Sequence, residues 1–449
     1  MIDGRRDEEP ECTWTPVGFR SYGRIEPMTD RDQPTRTACA GVIGGGPAGL
    51  VAALALAHFR VPTALIAPSA RPDPSPQGEA REGAGRAGGA DNRTTALMMP
   101  SVRVLETLGA WSSCCRHAAP LRVMRIVDDT GRLWRAPELR FEAAEIGLEA
   151  FAWNIENAHL VAALWDRVGT MPSLAHHATA ATSLSIGQSG VTATLADGTA
   201  LDCLIAVAAD GRNSICRTAA GIGFHSRAYA QTALTFTLTH TRPHHDVSTE
   251  FHTARGPFTL VPLPGLRSSL VWVVADDEAA RLGALASTAL DAEIEHRSHS
   301  ILGKVHVEPG RRAFPVSIAT ANRFAAHRVA LVGEAAHLFP PIGAQGLNLG
   351  VRDAVAIAQI AGDIHCRGGN LVDAIAAYDH RRRADIASRS IAVDLLNRSL
   401  LSDFLAVQGL RGLALYALGR IGPLRRAAMR EGVAPRTGLP SLMAGEEKP

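Results

Sequence analysis

Three short stretches combine glycine with charged or titratable residues at spacings that can do chemistry. The first is Gly44-Gly45-Gly46-Pro47-Ala48-Gly49. A short apolar run ends at Gly44, and an alanine- and leucine-rich run follows. The spacing G-x-G-x-x-G between a strand and a helix has separable causes. One glycine makes the tight turn, one lets backbone approach a pyrophosphate, and one lets helix and strand pack closely. The helix start offers free N–H groups and a positive dipole end to the anion. Pro47 suits the first helical turn, where its missing N–H is no loss. The bland alternative is an ordinary tight turn.

The second stretch is Asp210-Gly211-Arg212, closing the apolar run at residues 204–209. Asp-Gly by itself is a turn signal. Its place after a buried strand, with Arg212 and Arg217 nearby, raises a phosphate or ribose role beside that reading. The third runs from Gly333 to Gly350. An apolar strand ends at Gly333, Glu334 follows, and a glycine-rich turn starts a helix near Leu347. A carboxylate at a strand end can hold polyol hydroxyls. Helix N-terminal N–H groups can stabilise negative charge on a ring. His337 reads either as a proton relay or as a packed histidine bracing a rigid turn before Pro340 and Pro341. One expected partner is absent. An acid usually ends the second strand and bonds ribose, but in the strand at 61–68 that place holds Ala67.

These turns need a scaffold. The chain has 449 residues, enough for two or three domains, and 46% hydrophobic content supplies a sizeable core. With 46 basic against 44 acidic residues there is no case for nucleic-acid binding. Seven cysteines without a C-x-x-C fit a reducing compartment and point to no metal site. The N-terminus lacks an apolar signal core, and no apolar run approaches a membrane span. A cytoplasmic protein is expected. Residues 1–36 read as a disordered tail and 68–92 as a flexible Pro/Gly-rich loop. Alternating runs within 228–274 predict an antiparallel sheet. The run His380–Arg383 reads as a solvated helix face.

Taken in order, the three turns resemble the flavoprotein aromatic hydroxylases of the p-hydroxybenzoate hydroxylase fold. Within them the chain is most similar to the ubiquinone-biosynthesis hydroxylases of the UbiH/UbiF/VisC type. The resemblance covers roughly residues 38–430 and includes the stretches at 92–109, 150–165 and 258–272. It implies an α/β fold: a Rossmann-like FAD-binding domain, an antiparallel β-sheet substrate domain and a helical C-terminus. The expected division is 37–120, 150–222 and 320–392 for FAD, 121–149 and 223–319 for substrate, and 393–449 for C-terminal helices and tail. Carried over residue by residue, Gly44, Gly46, Ala48 and Gly49 would hold the pyrophosphate, and Arg93 would contact FAD near the ribityl and phosphate region. Asp210 and Gly211 would meet FAD and a reduced nicotinamide, and Glu334, in place of the family's aspartate, would hold the ribityl chain. Pro340, Gly343, Gln345, Gly346, Leu347 and Asn348 would flank the isoalloxazine.

The implied chemistry is reduction of FAD by NADPH or another donor, then reaction with O2 to a flavin C4a-hydroperoxide. That species delivers oxygen to the ring of a polyprenylated phenol. Alternatives on the same fold are hydroxylation of a soluble aromatic acid, reduction of a prenyl double bond, and a non-catalytic subunit of a quinone-biosynthesis complex. The apolar stretch 393–432, studded with arginines, is either a helix pair packed on the fold or a peripheral surface at the inner face of a membrane.

Overall fold

The computed structural model describes residues 36–68, 93–131, 137–341, 344–383, 385–386, 416, 420–433 and 439–444. The expected tail before residue 36, the loop at 69–92, Gly343 and most of 393–419 lie outside the described residues.

An eight-stranded sheet carries the first two turns and receives the third. Its spine runs Ala325–Ala326, Val329–Leu331, Ala200–Ala208, Arg36–Ile43, Thr63–Ile66, Leu174–His177. The four strands from Val329–Leu331 to Thr63–Ile66 pair parallel in that order, as does Leu174–His177 at the edge. Buried parallel strands read as continuous apolar runs, and Thr63–Ile66 is buried at every position. Helices Pro47–His58 and Gln345–Cys366 pack on one another beside this sheet. The glycine-rich ends of neighbouring parallel strands therefore open on one edge, where ligands bind in such folds.

A nine-stranded sheet stands opposite. Its main order is His337–Leu338, Arg312–Ala321, Phe224–His240, Arg267–Ala275, Gly256–Leu263, Val247–Thr253, Val123–Asp128, Leu139–Glu142. All neighbours on this path are antiparallel except Val247–Thr253 with Val123–Asp128. One face buries Phe251, Phe258 and Trp272 against Leu282, Leu290 and Ile294 of helices Asp276–Gly283 and Ser287–Arg297. The other face roofs a cavity. A small third sheet, Thr94–Met98, Ala152–Glu156 and Ala118–Leu121, ties the two halves together: Asn154 Nδ2 donates to the Pro262 carbonyl at 2.9 Å, and Thr94 Oγ1 to Ser269 Oγ at 2.9 Å.

Candidate active site where three glycine turns meet

Glycines of the first turn differ in what they are needed for. A Cβ on Gly44, at φ +117°, would lie 2.2 Å from the Ala209 carbonyl oxygen, and one on Gly49 would lie 2.1 Å from the Gly44 oxygen. Those two are demanded by packing. A Cβ on Gly46 would meet nothing within 4 Å. Its bareness keeps clear the space in front of the helix start. The helix Pro47–His58 begins on Gly46 with no side-chain cap, so its first N–H groups are left for a ligand. Ala67 is fully buried, and its carbonyl oxygen lies 3.0 Å from His176 Nε2. The ribose acid is thus absent at that position.

Asp210 ends the second turn with one oxygen spent and one spare. Oδ2 accepts the Cys216 N–H at 3.1 Å, while Oδ1 is buried with no hydrogen-bond partner among the described residues. A buried unsatisfied carboxylate oxygen calls for a missing donor, and a cofactor hydroxyl is one. Arg217 locks this turn to the third. It donates to the carbonyls of Ala335 at 3.0 Å and Arg212 at 2.8 Å, and its guanidinium lies 4.0 Å over the Phe224 ring.

Gly333, at φ +63°, opens the third turn. A Cβ there would lie 3.2 Å from the Ala48 methyl and 3.9 Å from Gly350 Cα, so the first and third turns touch directly. Glu334 follows on the one-turn helix Gly333–Ala335 and lines the cavity with its side chain exposed. Ala344, in the left-handed region at φ +53°, starts the helix Gln345–Cys366 without a side-chain cap. Gly346 and Leu347 sit in its first turn, where amide groups lie outside the helical ladder, and both line the cavity.

The side chains of two candidates in the third turn stand away from the cavity. The Asn348 side chain does not line the cavity. It is buried at the fourth helical position, where Oδ1 accepts from the Met98 N–H and Ser101 Oγ, and Nδ2 donates to the carbonyls of Ala96 and Ala344. It pins the helix start to the strand Thr94–Met98. Of the two readings of His337, its contacts fit the packed brace. It is buried, with Nε2 2.6 Å from Asp353 Oδ2, and Phe339 stands beside it on the cavity side. Asp353 Oδ2 also accepts the Gly333 N–H at 3.1 Å, and Oδ1 accepts from Arg382 Nε at 2.7 Å. Burial pushes the Asp353 carboxyl up, but Arg382, His337 and the Gly333 N–H together bring it below the usual aspartate range. Arg382 is itself 1% exposed and pairs with Asp385 as well. The expected solvated face at 380–383 therefore contains a buried ion-pair anchor. The legible signal was Arg352-Asp353, two charges inside an otherwise apolar helical run.

Between the turns and the nine-stranded sheet lies a cavity of about 610 Å³. Arg93, Arg212, Glu334, Pro340, Pro341 and Gln345 line its cofactor side. Phe314, Val316, Val271 and Val261 line the sheet side. At the far end stand Met124, Phe141 and the helix Gly422–Val433, which contributes Met429 and Val433. Arg425 holds that helix in place, 2.6 Å from Glu145 and 4.7 Å over the Phe141 ring. The orphaned Asp210 oxygen, the open space at Gly46 and two uncapped helix starts fit FAD as the occupant of the cofactor side.

The FAD binding domain family matches residues 36–391. Ubiquinone hydroxylase UbiL of Rhodospirillum rubrum is 34% identical over 411 residues, spanning 91% of this chain and 91% of that protein. The 3-demethoxyubiquinol 3-hydroxylase of Escherichia coli is 28% identical over 404 residues, 89% of this chain and 98% of that protein. In fold, the chain is similar to p-nitrophenol 4-monooxygenase PnpA from Pseudomonas putida DLL-E4. The TM-score is 0.71 over 90% of this chain and 100% of the other, at 17% identity.

Proposed function

Because this chain belongs to the FAD binding domain family, we propose that it is an FAD-dependent monooxygenase hydroxylating the aromatic ring of a polyprenylated phenol in ubiquinone biosynthesis. The observation that carries the reading is the shape of the cavity. It runs from the second and third turns, under the sheet, to an apolar end walled by Phe141, Phe151 and Met429. The first end takes the cofactor ring system, a substrate ring fits beyond it under the sheet, and the start of a hydrocarbon tail fits at the second end.

Bound FAD supplies the electron transfer and the oxygen activation. The chain supplies position, charge and dryness. Gly44, Gly46 and Gly49 shape the pyrophosphate turn, with Ala48 packing it onto Gly333. The spare Asp210 oxygen and the Glu334 carboxylate accept cofactor hydroxyls, and Arg93 offers a cation beside them. The amides of Gly346 and Leu347, at a helix start, place positive potential against the electron-rich edge of the ring system. Pro340 and Pro341 wall that ring, and the sheet above excludes water. NADPH or another donor brings electrons by transient binding, since the sequence holds one dinucleotide turn of this type.

No described helix is long and apolar enough to cross a membrane. Tyr416, Ile421 and Leu424 are exposed large apolar side chains, with Arg420, Arg426 and Arg430 exposed near them in sequence. That mixture supports peripheral contact with an anionic lipid surface, where a polyprenylated substrate resides.

Purified protein is expected to be yellow and to couple oxygen consumption to ring hydroxylation. A deletion strain is expected to accumulate a quinone precursor lacking one ring hydroxyl. Colourless protein that cannot take up FAD would refute the reading. Oxygen-independent turnover would point to prenyl reduction instead, and normal quinone levels with Glu334→Ala would point to a non-catalytic subunit.

A further inference from the structure

The roof of the cavity carries one acidic side chain. Glu250 lies on the strand Val247–Thr253, directly opposite Thr259, which is opposite Val271, which is opposite Thr235. All four residues of this rung line the cavity. With about 4.8 Å between strands, Glu250 sits roughly 14 Å across the sheet from Thr235. That is a ring's breadth and more beyond the strands nearest the glycine turns.

Its carboxylate is held, not free to swing. His252, two residues along the same strand face and 6% exposed, places Nε2 2.7 Å from Glu250 Oε1. A carboxylate only accepts, so Nε2 donates. Thr259 Oγ1 donates to the second oxygen at 3.3 Å. A carboxylate has about four acceptor sites, so capacity remains on the side that faces the cavity. Among the described lining residues the cations are Arg93 and Arg212. They come from the segment before the strand Thr94–Met98 and from the Asp210 turn, so neither belongs to the sheet.

We propose that Glu250, set by His252, is a specificity-determining residue that accepts a hydrogen bond from a hydroxyl on the substrate ring and turns away rings bearing a carboxylate. A neutral phenol gains an acceptor inside an otherwise apolar roof. An aromatic acid brings a second negative charge to the same place without a cation to meet it, and like charges in a desolvated site repel strongly. The inference rests on the hydroxylase reading and adds which rings that site admits.

The test compares 2-geranylphenol with 3-geranyl-4-hydroxybenzoate, a pair differing by one ring carboxylate. Each is titrated into FAD-loaded protein and followed by the flavin absorbance change, with turnover measured in parallel. The wild type is expected to bind the phenol at least about tenfold more tightly. Glu250→Gln removes the charge at nearly constant shape and is expected to erase most of that ratio. Glu250→Lys is expected to invert it. His252→Asn, which loosens the carboxylate, is expected to raise KM for the phenol while kcat holds. An unchanged ratio in both Glu250 variants, or equal binding of both probes by the wild type, overturns the inference while phenol turnover leaves the hydroxylase reading standing. Should the FAD-loaded wild type hydroxylate neither probe, the hydroxylase reading falls, and this inference with it.

Discussion

His337 Nε2 and Asp353 Oδ2 lie 2.6 Å apart, and both side chains are at most 1% exposed. Asp353 also holds the Gly333 amide, so this buried contact sets the bend that presents Glu334. The lowered Asp353 carboxyl fixes the sign of its contribution. A carboxyl held lower in the fold than in the unfolded chain stabilises fully above the unfolded value of about 3.9, and that contribution is lost as pH falls through the folded value. Asp353→Asn strands the buried Arg382 charge and is expected to cost about 3–5 kcal/mol at neutral pH. Denaturant melts at pH 7 and near pH 3 check this. The gap between variant and wild type should narrow from pH 7 to pH 3, and equal midpoints at pH 7 would show that the ion pair is not what braces the turn.

Gly46 and Gly49 separate cofactor binding from folding. Gly46→Ala adds a methyl into open space, so its thermal midpoint as apoprotein should stay within a few degrees of wild type while FAD affinity drops by about tenfold or more. Gly49→Ala drives a methyl to 2.1 Å from the Gly44 oxygen and should lower the apoprotein midpoint itself. Titration of apoprotein with FAD, beside a melt without it, distinguishes the two. Identical behaviour of both variants would contradict the division.

His117 and His159 stack with ring centroids 3.9 Å apart and planes 5° from parallel. Burial, above all, lowers both: Arg116 adds to it for His117, and His117 adds to it for His159. Bases held below their ordinary value stay neutral in the fold while the unfolded chain protonates first. Stability is therefore full above the unfolded histidine value of about 6.5 and declines as pH drops through the folded values. Replacing His159 with Gln should flatten the fall of the melting midpoint between about pH 6.5 and 5. An unchanged slope would assign the acid sensitivity elsewhere.

Met429 is 7% exposed and closes the far end of the cavity against Ala143 and Phe151. Met429→Asp places a charge where an apolar tail is expected. KM for a long-chain prenylated phenol should rise by about tenfold or more, with FAD content unchanged. Equal kinetic effects on prenylated and unprenylated phenols would mean the helix Gly422–Val433 does not meet the tail.

Much of the cofactor side was legible in sequence, because glycine, proline and a strand-end acid have local causes. The turns at Gly44, Asp210 and Glu334 each follow from backbone demands within a few residues. Other parts were not legible. Arg382 sits in a run of four basic residues that resembles a wet helix face, and its burial depends on Asp353, 29 residues away. Sequence points to the Asn348 backbone amide, yet its side chain is what the fold spends, on partners near residue 98. Glu250 gives no signal in a strand of mixed polarity until the sheet is assembled and one face becomes a cavity roof.

A methyl on Gly333 would press the Ala48 methyl at 3.2 Å, and one on Gly350 would lie 3.2 Å from Gly333 Cα and 3.3 Å from the same Ala48 methyl. Ala48 and Gly333 stand some 285 positions apart in the chain, yet a Cβ on Gly333 would make Ala48 give way. Drift at these positions is therefore coupled: enlarging the third turn at Gly333 or Gly350 calls for room at Ala48 in the first. Relatives of this chain with a larger residue at Gly333 or Gly350 should carry a compensating change at Ala48, a genealogical mark readable without any assay.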